Sequence, residues 1–218
     1  MNKKSLGKKL YTLKDHLKES LKDQEFRKVW DKTMSKKCVV LIDGSNFYFK
    51  LKDLKLNNLL EFDFSGFIKK LAGRNKVVSA TYYVGKIRTD GTEKTKKLFD
   101  DQQKLLGHLK KHKIRYSLGY LMKSDGKYHE KGVDVAIAVD MLVATYEKLC
   151  DRIILVSSDT DLLPAILKTR EKGIFIEYIG FSHKASVALV AQCSQSRLLT
   201  EEDIEPFLKG ALKEARRK

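Results

Sequence analysis

Cysteine is scarce in this chain of 218 residues: only Cys38, Cys150 and Cys193 occur, far apart and without CxxC spacing. That excludes a disulfide framework and a zinc knuckle. Cys38 and Cys150 fall inside apolar runs, where a thiol acts as a small buried hydrophobe. Proline is nearly absent too, with only Pro164 and Pro206, so no proline-rich linker divides the chain. No apolar run approaches the roughly 20 residues of a membrane-spanning helix, and the opening residues lack a secretory apolar core. Asp15, Glu19 and Asp23 argue against a mitochondrial presequence, which is poor in acids. An intracellular, cytoplasmic protein without a membrane partner is expected. The five histidines form no HExxH pattern, and His108 and His112, four residues apart, have no acid on their helical face, so zinc is not expected there. Neither a glycine-rich phosphate loop followed by lysine and serine or threonine nor a GxSxG elbow occurs, which disfavours P-loop nucleotidase and serine-hydrolase chemistry.

Acidic charge is in deficit. Lysine and arginine number 44 against 28 aspartate and glutamate, giving a net charge of +16 and a pI near 9.6. Such an excess points to a polyanionic partner, nucleic acid first. With 42% hydrophobic and 33% charged residues, a packed core inside a well-solvated surface is expected rather than disorder.

The first 37 residues differ from the rest. Leu6, Leu10, Leu13, Leu17 and Leu21 recur at helical spacing, followed by Phe26 and Trp30, with lysines between. A basic amphipathic helix is expected over residues 1–37, suited to packing, to phosphate contacts or to pairing with a second copy of the chain. A single domain is expected over 38–208 and a basic tail over 209–218. Within the domain, apolar runs alternate with amphipathic stretches, the signature of βαβ units around a mainly parallel sheet. Strands are predicted over 38–42, 76–84, 114–122, 152–157 and 174–179, and helices over 63–72, 92–111, 132–149, 162–171, 185–195 and 201–208.

Two of these strands end in acids. The run CVVLI leads into Asp43-Gly44-Ser45-Asn46, and RIILVS leads into Ser158-Asp159-Thr160-Asp161. Ligand sites in open α/β sheets form beyond the carboxyl ends of parallel strands, so both turns should face one crevice. Asp134, in Lys131-Gly132-Val133-Asp134 at a predicted helix start, is placed to join them. Crowded carboxylates repel unless positive charge is supplied, and a hard cation such as Mg²⁺ or Mn²⁺ suits oxygen ligands. With a basic surface, this suggests a phosphodiester as substrate. Asn46 could orient water or a phosphate oxygen, Lys131 could neutralise a phosphate, and Ser158 and Thr160 could bond carboxylate or substrate. Each of these residues could equally serve a local role: Asp43 beginning an Asx-type turn, Asp159 or Asp161 capping the following helix, Asn46, Ser158 and Thr160 as caps likewise, and Lys131 as a surface lysine beside glycine. Asp140, six residues beyond Asp134 on the same helix, falls off its face and reads as structural.

At these residues the chain resembles the NYN domain family, a branch of the PIN-like ribonuclease superfamily that includes LabA-type bacterial proteins. Val39-Val40-Leu41-Ile42-Asp43-Gly44-Ser45-Asn46 is similar to the family's opening strand and D-x-x-N turn. Lys131-Gly132-Val133-Asp134 resembles its K-G-V-D helix start, and Ser157-Ser158-Asp159-Thr160-Asp161 its S-x-D-x-D segment. The resemblance spans residues 38–199. It implies a three-layer Rossmann-like α/β fold and an acidic site binding Mg²⁺ or Mn²⁺. Asp43, Asp134, Asp159 and Asp161 would be its metal-binding catalytic acids, with Asn46 assisting. Where relatives often carry a further acid, this chain has Cys193-Ser194. The expected function is a metal-dependent ribonuclease acting on single-stranded or structured RNA. The alternative is a catalytically weak RNA- or protein-binding regulatory module; a phosphatase of small phosphoesters is disfavoured because Ser45 stands two residues after Asp43, where that chemistry wants an acid.

Overall fold

A computed structural model of the chain describes residues 36–56, 59–124 and 127–208, without the side chains of residues 121–130. The helix expected at the amino terminus and the tail over 209–218 lie outside the described residues. Strand β1, Lys37–Asp43, is buried on both faces because every residue from Cys38 to Ile42 is apolar. It leads into helix α1, Gly44–Asp53. Helix α2, Phe64–Ala72, strand β2, Lys76–Gly85, and helix α3, Glu93–Lys111, follow. Strand β3, Arg115–Ser124, folds back on the short β4, Lys127–Lys131. The chain then runs through helix α4, Val133–Tyr146, strand β5, Arg152–Val156, and helix α5, Leu163–Glu171, to strand β6, Phe175–Phe181. Helix α6, Val187–Gln192, strand β7, Gln195–Leu199, and the short helix α7, Glu201–Ile204, complete the order.

The seven strands form one sheet in the order β4-β3-β2-β1-β5-β6-β7. Six are parallel and only β4 runs antiparallel, against β3. The chain lays down β1, β2 and β3 in one direction, then returns to place β5, β6 and β7 on the other side of β1. The order therefore reverses between β1 and β5, where a crevice opens at the carboxyl edge.

Alternate residues of β1 feed two cores. Cys38, Val40 and Ile42 join Phe47 and Leu51 of α1, Phe64 and Phe67 of α2 and Leu109 of α3. Val39 and Leu41 join Ile137 and Met141 of α4, Ile166 of α5 and Leu189 of α6. This is the three-layer α/β fold expected. Phe47 anchors α1 in the first layer, its ring centroid 5.5 Å from Phe62, 5.5 Å from Phe67 and 5.9 Å from Phe181. At the opposite edge of the sheet from the crevice, the fully buried Glu177 carboxylate accepts from Arg152 Nε at 3.2 Å and from Arg197 Nε at 3.0 Å.

The structure amends the predicted elements in six places. Helix α1 was not predicted: Gly44, Ser45 and Asn46 are weak helix formers and the Phe47-Tyr48-Phe49 run favours strand, yet the Asp43 cap and the burial of Phe47 and Leu51 hold it helical. Strands β4 and β7 were not predicted either, being the polar outermost strands. The helix expected over 185–195 is confined to Val187–Gln192, and that over 132–149 ends at Tyr146. Residues 201–208 form the short α7 followed by a 3₁₀ turn, Glu205–Phe207, rather than one helix.

Candidate functional site

Asp43 ends β1 at the reversal point, where its side chain is only 4% exposed. Its Oδ1 accepts from the Asn46 backbone N–H at 2.9 Å, capping α1, and its Oδ2 accepts from Ser157 Oγ at 2.8 Å. Both oxygens are thus held in place. The abrupt turn from strand to helix needs glycine next: a Cβ on Gly44 would lie 2.2 Å from the Tyr82 ring and 2.6 Å from the Tyr83 carbonyl oxygen on the neighbouring β2. Tyr82 Oη donates to the Gly44 carbonyl at 3.2 Å, fastening the turn to that strand.

Across the reversal, β5 ends at Val156 and the following turn is tied to Asp43. Ser157 Oγ, which donates to Asp43, also accepts from the Asp159 N–H at 3.1 Å. The Ser158 N–H donates to Asn46 Oδ1 at 3.3 Å. Asp159 Oδ1 accepts from the Asp161 N–H at 2.9 Å, capping the 3₁₀ turn Thr160–Leu162. Ser158 Oγ lies 2.9 Å from Tyr178 Oη on β6, and that phenol oxygen accepts from the Ser186 N–H at 3.0 Å. Asp43, Asn46, Ser157, Ser158 and Asp159 therefore form one hydrogen-bonded unit bridging the two strand ends.

The remaining sequence-derived residues lie on the 3₁₀ turn, on α4 and on β4. Asp161 and Thr160 are exposed on the 3₁₀ turn, and Asp159 is half-buried. Asp134 is half-buried in the first turn of α4, a helix that packs against both β1 and the 3₁₀ turn. Lys131, at the end of β4, is exposed. Gly132 beside it takes φ +84°, the left-handed conformation that swings the chain from β4 into α4 and that glycine adopts without strain. Among the described residues, no three His, Cys, Asp or Glu side chains gather closely enough to hold one metal ion. Asp159 caps its turn as its alternative role has it, and Asp43, expected at most to begin an Asx-type turn, caps α1 with one oxygen while the other binds across the crevice.

Two residues that sequence reasoning did not single out matter here. Ser157, the last residue of the strand predicted over 152–157, is given no role of its own there, although it is the serine of the S-x-D-x-D segment and that motif is its signal. Tyr178 carried none, because a tyrosine in an apolar strand reads as core. Asp140, expected to be structural, accepts from Tyr83 Oη at 2.6 Å. Burial, reinforced by that carboxylate, pushes the Tyr83 phenol far above its usual range. His108 Nε2 lies 2.9 Å from the Phe62 carbonyl oxygen and His112 Nδ1 lies 3.0 Å from Ser65 Oγ, so this pair braces α3 against the start of α2.

The donors fit a hard cation in kind, all being oxygen, but not as a closed cage. Mg²⁺ is commonly held by one or two carboxylates with several waters and substrate phosphate oxygens. The Asp43 and Asp159 arrangement matches that open pattern better than a multi-carboxylate shell. Among the described residues no helix is long and apolar enough to cross a membrane.

No curated protein matches this sequence. A solved protein of unknown function from Vibrio parahaemolyticus is 21% identical, with a TM-score of 0.61 over 79% of this chain and 97% of that one, and so shares the fold. A conserved protein from Enterococcus faecalis is 13% identical over 61% of this chain and 98% of that one, with a TM-score of 0.27, too low to support a comparison. The sequence profile of the NYN domain matches residues 37–200, which contain every strand of the sheet and every residue of the crevice. With its sheet order and its strand-end aspartates, the chain has a PIN-like nuclease fold and belongs to the NYN domain family.

Proposed function

We propose that this protein is a metal-dependent ribonuclease whose crevice hydrolyses RNA phosphodiester bonds. The observation that carries the reading is the hydrogen-bonded bridge from Asp43 through Ser157 to the Asp159 turn, spanning the sheet's reversal point. Asp43 and Asp159 would hold Mg²⁺ or Mn²⁺, with Asp134 and Asp161 flanking them and reaching it directly or through water. When bound, the ion would supply Lewis acidity toward a phosphate oxygen and lower the pKa of water. The protein's own part is preorganisation. Ser157 and the Asn46 N–H fix the Asp43 carboxylate, so its negative charge is aimed without reorganisation. Asn46 and Ser158 orient each other; Thr160 would bond carboxylate or substrate, and Lys131 would offer a cation to the phosphate chain. The charge of +16 favours RNA association through phosphate contacts.

Labelled RNA incubated with Mg²⁺ or Mn²⁺ tests the reading. Wild type should cleave it, EDTA should stop cleavage, and Asp43→Asn and Asp159→Asn should each lose at least roughly 100-fold, the scale on which losing a positioned electrostatic group lowers kcat. Equal cleavage by wild type and variants would remove the assignment. One observation favours the alternative, a catalytically weak RNA- or protein-binding module: no three ligating side chains gather among the described residues. On that reading RNA binding survives both substitutions and no metal-dependent cleavage occurs.

A further inference from the structure

Helix α1 leaves the crevice carrying two exposed aromatic side chains. Tyr48 is 39% exposed and Phe49 58% exposed, their ring centroids 5.4 Å apart in an edge-to-face pair. Phe49 is the one exposed phenylalanine among the described residues; Phe47, its near neighbour, is 1% exposed and points into the core. The difference follows from helical geometry. At about 100° per residue, Phe47 and Leu51 share the inward face, while Ser45, Tyr48, Phe49 and Lys52 share the outward one. Exposing an aromatic pair to water forgoes burial that such rings normally gain, so its position calls for a partner.

Cations border the pair. Asn46 and Lys50 lie four residues apart on the neighbouring stripe of α1, so Lys50 follows one turn beyond the crevice floor. Lys50 Nζ donates to the Lys184 carbonyl at 2.8 Å, and Lys184 Nζ donates to Asp53 Oδ2 at 2.8 Å. Lys184 belongs to the turn that follows β6, at the same carboxyl edge of the sheet. Lys50 is thus seated on a backbone carbonyl while Lys184 pairs with Asp53, which His183 Nε2 also faces at 3.7 Å, leaving net positive charge on the same helix as the aromatic pair. An apolar protein partner would meet lysines on this border, whereas a nucleic acid strand matches both features: phosphates for the lysines, base faces for the rings.

Resting on the ribonuclease reading above, we propose that Tyr48 and Phe49 form a stacking platform for unpaired bases, with Lys50 and Lys184 holding the adjoining phosphates, so that the substrate is single-stranded RNA led into the crevice along α1. Bases in a duplex are stacked on one another and cannot reach such a platform, so single strands are selected over paired RNA.

The test is binding, measured by fluorescence anisotropy with EDTA present so that cleavage does not enter, using a short fluorescein-labelled single-stranded RNA and a blunt RNA duplex. Phe49→Ala should weaken single-strand binding by roughly 5- to 100-fold, the range for loss of one base-stacking ring, and leave duplex binding within about twofold. Phe49→Trp should retain affinity, while Phe49→Leu, which keeps apolar area but no ring, should lose it. A 2-aminopurine placed in the single strand should be quenched by wild type and not by Phe49→Ala. Unchanged single-strand binding in Phe49→Ala, full affinity in Phe49→Leu, or equal losses on both RNAs would each overturn the platform. A wild-type protein that binds single strands through Phe49 yet never cleaves them would sink the nuclease reading alone. One that cleaves with no dependence on Phe49 would sink the platform alone.

Discussion

Ser157 Oγ donates to Asp43 Oδ2 at 2.8 Å, a bond between residues 114 positions apart that joins the carboxyl ends of β1 and β5. Because Asp43 is buried, removing this donor leaves a carboxylate short of one partner in a place water hardly reaches. Ser157→Ala should lower stability by about 1.5–3 kcal/mol, the range for a hydrogen bond to a charged group, and should reduce cleavage of RNA. Urea unfolding and an initial-rate assay check both. A variant as stable and active as wild type would show that the bridge is incidental.

The opposite edge of the sheet offers a control. Glu177 is buried between Arg152 and Arg197, and Arg152 also lies over the Phe175 ring at 4.6 Å. Removing one member of a buried charge cluster strands the others, so Glu177→Ala should cost about 3–5 kcal/mol in urea unfolding. The folded fraction should keep its RNA-cleavage rate, because the substitution lies far from the crevice.

The buried aromatic anchor makes a further prediction. Truncating Phe47 empties the space among Phe62, Phe67 and Phe181 on which α1 rests. Phe47→Ala should lose about 3–5 kcal/mol of stability, measurable by thermal or urea melting, whereas Phe49→Ala two residues on should change stability by less than about 0.5 kcal/mol.

Alkaline pH tests the core chemically. Burial pushes the thiols of Cys38, Cys150 and Cys193 up from an ordinary 9.0 to about 11. Between those values the unfolded chain has released protons that the folded chain still holds, so stability falls as pH rises from about 9 to about 11 and is indifferent to these groups below pH 8. The loss should be on the order of 2 kcal/mol per thiol, followed by urea midpoints across that window. Native protein should not react with a thiol reagent at neutral pH, and unfolded protein should react at all three cysteines.

Legibility in the sequence followed burial. The buried central strands β1 and β5 are legible from their apolar runs because parallel strands in the middle of a sheet are covered on both faces, and β2, β3 and β6 follow from the alternation of strand-like and helical stretches. Strands β4, KYHEK, and β7, QSRLL, escaped notice because they are the outermost strands of the sheet and their sequences carry no long apolar run. Helix α1 escaped for a different reason: its residues favour other conformations locally and are held helical by a cap and a core contact formed only in the folded chain. The strand-end aspartates were readable because fold topology alone sends them to one edge. The motif names Ser157 but not its bond to Asp43, and nothing names Tyr178, since their roles depend on partners 114 and 20 residues away respectively.

The central claim is that the Asp43 and Asp159 turns make one cation site that works on RNA. Electron paramagnetic resonance of Mn²⁺, titrated into the protein in the presence of an uncleavable phosphorothioate RNA, addresses it directly. The wild type should sequester Mn²⁺ at one saturable site, and Asp43→Asn and Asp159→Asn should each weaken that binding at least about tenfold, a difference of about 1.4 kcal/mol. Mn²⁺ affinity unchanged by either substitution would contradict the account.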